Sequence, residues 1–180
     1  MAAITESFLT RVQDSICAEV LRLCGSGEDA YQEPDYLQLK TARRGSVAQS
    51  FDVTPEEMPA FVMEYIYSEE TGPGGQTVGG DYVHMFNAAV VATLTAESMG
   101  LASPTRQELR TAVEASADVL KRRIHRAIRS FAPSVLDADY GETSSNVKIG
   151  IFRYVLRELD AQAYSVQILF EVLLPTEDLS

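Results

Sequence analysis

Tryptophan is absent from the 180 residues, and histidine and cysteine occur only twice each. The side chains that most often hold metals or attack substrates are therefore scarce. Cys17 and Cys24 lie seven positions apart on one predicted helix. At about 1.5 Å of rise per residue their Cα atoms stand roughly 10 Å apart, too far for an intrachain disulfide. Two buried, reduced thiols in a reducing compartment are expected. His84 and His125 share no metal-ligand spacing with each other or with a cysteine. His84 falls on an apolar strand face, which suits a half-buried histidine better than a general base. No G-x-S-x-G elbow is present.

Long apolar runs are missing too. No stretch approaches the length of a membrane span, and MAAITESFLTRVQDS has neither the basic start nor the apolar run of a secretion signal. Positive charge is in short supply: 15 Lys and Arg against 26 Asp and Glu leave a formal net charge of −11. Neutralising phosphates needs a basic surface, so a general DNA or RNA binder is disfavoured. A soluble protein that meets other proteins is expected instead.

Glycine is concentrated rather than scarce. ETGPGGQTVGG, Glu70 to Gly80, carries Gly72, Gly74, Gly75, Gly79 and Gly80. A phosphate cradle needs a terminal Gly-Lys-Ser/Thr, so that an ammonium reaches the phosphates and a hydroxyl reaches the metal. Here the lysine is missing, Asp81 follows, and the next element reads as a strand, so no helix N-terminus faces an anion. The stretch reads as a mobile hairpin loop over 69–82. A second loop, DADYGE (137–142), resembles the start of a calcium loop. Its glycine falls at the fifth position, however, and Lys148 stands where the twelfth-position Glu is needed. Neither catalytic residues nor a cofactor nor a metal is expected, and the chain does not read as an enzyme.

The periodicities predict one α+β domain over 1–180: a mainly antiparallel sheet of about four strands, flanked by an N-terminal helix and a long amphipathic helix. Phe8, Val12, Ile16, Val20 and Leu23 mark the buried face of the first helix, which Thr5 or Ser7 would cap and which Gly25 and Gly27 end. Residues 25–57 are polar and irregular, with room for one short strand around Tyr36 to Lys40. MPAFVMEYIY, entered through Pro59, predicts a strand. In DYVHMFNAAVVATLTAES, apolar residues occupy both faces, so this strand should be covered twice. Thr105 with Glu108 forms a capping box, and Leu109, Val113, Ala117, Leu120, Ile124, Ile128 and Phe131 form the stripe of a helix that Pro133 stops. VKIGIFRYVLREL alternates Val147, Ile149 and Ile151 with Lys148, Gly150 and Phe152, and AYSVQILFEVLLP puts Tyr164, Val166, Ile168, Phe170, Val172 and Leu174 on one side, so the two predict a closing hairpin that turns over Leu159 to Gln162.

Five of the 15 cations, Lys121, Arg122, Arg123, Arg126 and Arg129, crowd into nine positions of the second helix. They suit the helix C-terminus as a solvated face. They also suit an electrostatic contact with an acidic neighbour, which in a homo-oligomer would be another copy of this chain. Arg43 and Arg44 are weaker candidates of the same kind. The interface expected from sequence thus comprises Gly72, Gly74, Gly75, Gly79 and Gly80 with Arg122, Arg126 and Arg129.

The order of elements resembles a known family. An N-terminal helix leads to the strand EEMPAFVMEYIY, then a variable loop, the apolar strand HMFNAAVVATLTAE, the helix RQELRTAVEASADVLKRRIHRAI, and a hairpin ending in AYSVQILFEVLL. Over roughly residues 4 to 174 this is similar to the tail-terminator and tail-completion proteins of long-tailed bacteriophages. The resemblance implies a non-enzymatic virion protein whose hexameric ring caps the tail tube, stops its polymerisation and joins it to the head or neck. Its partners would be the tail tube protein and a neck or connector protein, with DNA passing through an acidic lumen and no specific nucleic-acid or membrane contact. The loops at 69–82 and 132–146 would make contacts. The alternatives are another neck or head–tail connector component or, in a different class, a small α+β ligand-binding domain or enzyme using His84, Tyr140 and Tyr154.

Overall fold

The computed structural model describes residues 8–31, 37–47, 52–70, 82–131, 142–144 and 147–178. Two helices, α1 (Phe8–Cys24) and α2 (Arg106–Ser130), pack on one sheet of six strands: β1 (Thr41–Arg44), β2 (Ala60–Glu70), β3 (Tyr82–Thr95), β4 (Glu142–Ser144), β5 (Lys148–Asp160) and β6 (Ala163–Asp178). Strand order is β1-β2-β3-β6, with β5 and β4 both pairing the far side of β6. All pairs are antiparallel except β1 with β2, which is parallel. The α+β class with two helices is as expected; among the described residues the sheet is mixed and has six strands rather than about four.

The two additional strands are the short ones. β1 lies at Thr41–Arg44 rather than at 36–40. Leu39, inside the range expected for the strand, is buried at 3 % exposure as a plug beneath α1. Its N–H donates to the Cys24 carbonyl at 2.8 Å. β1 reads TARR and has no apolar alternation to announce it; it exists because β2 supplies a ladder and α1 a roof.

α1 ends where expected. The Gly25 N–H closes onto the Leu21 carbonyl at 2.8 Å, and a Cβ at Gly25 would stand 2.5 Å from that oxygen, so only glycine fits. The helix caps expected at Thr5 or Ser7 lie outside the described residues, as does Pro133. The capping box at the start of α2 forms as predicted: Glu108 N–H donates to Thr105 Oγ1 at 3.3 Å, and Thr105 N–H donates to Glu108 Oε2 at 2.8 Å.

One face of the sheet holds the main core. Phe61 and Met63 of β2, Phe86 of β3 and Phe170 of β6 are fully buried against Val12, Ile16 and Val20 of α1 and the predicted stripe of α2. β6 buries Tyr164, Val166, Ile168, Phe170, Val172 and Leu174, the side assigned from its alternation. Val147, just before β5, and Ile149 keep the expected phase. A bulge between Ile151 and Arg153 absorbs Phe152, so Leu156 returns to the helix side. A second bulge, between Glu158 and Asp160, releases Leu159, which is 51 % exposed. The turn is then only Ala161-Gln162, shorter than the four residues expected.

The other face of β3 is covered at one end, as its apolar residues anticipate. Val53 and Met58, from the chain between β1 and β2, close over Ala60, Val62 and Val91. Beyond that cover, Met85, Asn87, Leu169, Glu171 and Leu173 are partly buried.

Candidate functional site

β2 and β3 form the hairpin that the glycine stretch was expected to join. Gly72, Gly74, Gly75, Gly79 and Gly80 themselves lie outside the described residues, as do Tyr140 and all but the last residue of 137–142. The described approach to the loop carries a bulge between Tyr65 and Tyr67. It leaves Ile66 and Tyr67 at 39 % and 43 % exposure, an apolar shoulder on β2.

The basic cluster on α2 is divided by the fold. Arg122, Arg126 and Arg129 are exposed, as an interface would need. Lys121 and Arg122 meet Asp118 at 2.6 and 3.1 Å, holding that carboxyl below its usual range, chiefly through the Lys121 hydrogen bond. Arg123 departs from the expected outer face. It is 5 % exposed and its guanidinium donates to the Tyr31 carbonyl at 2.9 Å. Its Cζ lies 5.7 Å from the Tyr31 ring, and that of Arg126 lies 5.2 Å from the same ring. Tyr31 N–H in turn donates to the Leu23 carbonyl at 2.9 Å. Tyr31 therefore staples the end of α1 to α2 through cation–π contacts. Nothing in the polar stretch GEDAYQEPDY signals this role, because both partners lie about ninety positions away.

Arg43 and Arg44 bind within the chain. Arg43 Nε meets Glu57 at 2.8 Å, and that carboxyl is lowered chiefly by this bond. Arg44 Nε meets Asp14 of α1 at 2.6 Å. The two arginines thus secure β1 on both sides.

Beside them runs a groove between α1 and β1. Two hollows of about 650 and 740 Å³ adjoin there, sharing Ala18 and Leu21. Leu21, Ala18, Leu39 and Ala42 give the groove an apolar floor, and Arg22, Lys40 and Arg44 stand along its rim. Arg22 is tied to Glu19 at 2.8 Å and Asp29 at 3.1 Å. Lys40 has no ion-pair partner among the described residues. No sequence motif marks this groove, since it exists only once β1 lies beside α1.

Both cysteines are buried and unbridged. Burial pushes each thiol up to about 12, so neither is a ready nucleophile. His84 is 7 % exposed, and burial lowers its pKa. His125 is lowered chiefly by burial and then by Arg129, against a hydrogen bond with the Ile149 backbone that raises it. His84 and Tyr154, named as members of an enzyme pocket, are not brought together. Tyr154 pairs with Ile168 and Ile168 with Val90, six residues along β3 from His84, or roughly 20 Å at strand spacing. Among the described residues no three His, Cys, Asp or Glu side chains gather as a metal site, and no helix is long and apolar enough to cross a membrane.

Compared with known proteins, the chain matches no protein-family model and no curated protein.

Proposed function

We propose that this chain is a structural assembly protein that closes into a ring, and that its role is that of a tail terminator in a long-tailed phage. In that role the ring caps the tail tube, halts its growth and joins it to the head or neck while DNA passes through the lumen. The observation that carries the reading is the single-layer sheet with two unlike sides. β1 ends it on one side and β5 with β4 on the other, and among the described residues neither side is paired further. An unpaired edge in a soluble protein must be blunted or used, and two different edges suit head-to-tail contacts, which generate rings when the rotation closes. The net charge of −11 supports a lumen that lets DNA slide without sticking. Light scattering at micromolar concentration tests the ring. Six chains of 19.8 kDa predict a particle of about 119 kDa, whereas a clean monomer overturns the reading.

A further inference from the structure

Leu159 is the most exposed large apolar side chain among the described residues, at 51 %. It is placed there by the bulge between Glu158 and Asp160, at the end of β5 just before the two-residue turn into β6, and bulges commonly re-aim a side chain in this way. Acidic residues flank it on both sides. Glu158 stands 3.6 Å from Arg106, and Asp160 Oδ1 accepts the Gln162 N–H at 2.7 Å. The tip of the β5–β6 hairpin is therefore an apolar knob between two carboxylates.

The opposite side of the sheet carries its complement. The groove between α1 and β1 has the apolar floor of Ala18, Leu21, Leu39 and Ala42, with Lys40 on its rim. Each adjoining hollow is larger than a leucine side chain. Knob and groove lie toward the same end of β3. The hairpin tip is level with Thr95, which pairs with Ala163, while Thr41 is level with Ala60 and so with Val91. The offset is four residues along β3, about 14 Å. A neighbour displaced sideways and shifted by that offset along the strands brings the two together.

We infer that the hairpin tip of one copy, Leu159 between Glu158 and Asp160, docks in the α1–β1 groove of the next copy, with Lys40 facing the carboxylates. Knob and groove sit on different surfaces of one molecule, so the contact is heterologous and repeats around a ring. This inference rests on the ring reading and supplies its lateral contact. Burying a leucine changes affinity by tenfold or more, and the flanking charges fix the register.

The test combines substitution and cross-linking on the full chain. Leu159→Asp changes an exposed residue, so its melting temperature should match the parent while the subunit dissociation constant rises at least tenfold. Lys40→Glu should weaken assembly, and Asp160→Lys in the same chain should restore it. Under mild oxidation, a Leu159→Cys copy mixed with an Ala18→Cys copy should give a disulfide-linked pair joining the two variants. An assembled parent whose particle mass survives Leu159→Asp unchanged overturns this contact and leaves the ring reading standing. Leu159→Cys copies that link only to one another show tip meeting tip and likewise overturn it. If Leu159→Asp fails to fold, the cross-link decides alone. A parent that is monomeric throughout overturns the contact and the ring together.

Discussion

The two faces of the sheet are built from the same strands and carry different loads. On the helix side, Phe61, Phe86 and Phe170 are sealed from water beneath both helices. On the other side, a small cluster of Val53, Ala60, Val62 and Val91 shelters under one stretch of chain, and the residues beyond it are only partly buried. Burial is proportional to apolar area removed from water, so stability should be concentrated on the helix side and decline across the other face. The first face holds the fold together, and the second contributes less to it.

The sharpest way to break this comparison is Phe86→Ala. Phe86 is fully buried and meets Tyr65 edge-on, with ring centroids 5.6 Å apart. Its loss should cost about 3–5 kcal/mol, as phenylalanine truncations in packed cores do. Urea unfolding followed by circular dichroism would measure it. A cost below about 1 kcal/mol would mean that the helices do not seal this face, and the contrast between the faces would collapse.

That helix-side core was the part most legible in the sequence. α2 announced itself by a capping box and a stripe at three-to-four spacing, and β6 by six alternating apolar residues, because both patterns are local and repeat enough times to stand out. What stayed hidden depends on distant partners. β1 has no apolar alternation and is held by β2 and by ion pairs to Glu57 and Asp14. Arg123 looked like one more cation on an outer face, yet it is buried against Tyr31, ninety-two positions away. The bulges in β5 shift its phase without any glycine or proline at Phe152 or Leu159 to mark them. The α1–β1 groove could not be foreseen at all, because it is the space left when a strand missing from the sequence pattern settles beside a helix.

A smaller effect should come from the sheltered end of the second face. Val62 is 3 % exposed beneath Val53 and Met58. Val62→Ala removes two buried carbons and should cost about 1.5 kcal/mol, at ~0.8 kcal/mol each. A cost equal to that of Phe86→Ala would mean that the 52–59 cover is as much a core as the helix layer.

The smallest effect belongs to the same face beyond the cover. Leu173 lies between Met85 of β3 and Lys148 of β5 in the pairing register and is partly buried. Leu173→Ser should change the stability of the separated chain by roughly 0.5 kcal/mol or less, as surface substitutions usually do. The measurement belongs in a dilution series, because a cost that grows with protein concentration reports on assembly rather than on folding. A cost near 2 kcal/mol that stays constant on dilution would show that Leu173 is covered within one copy. The second face would then be a second core, and assembly would be left to the two lateral edges alone.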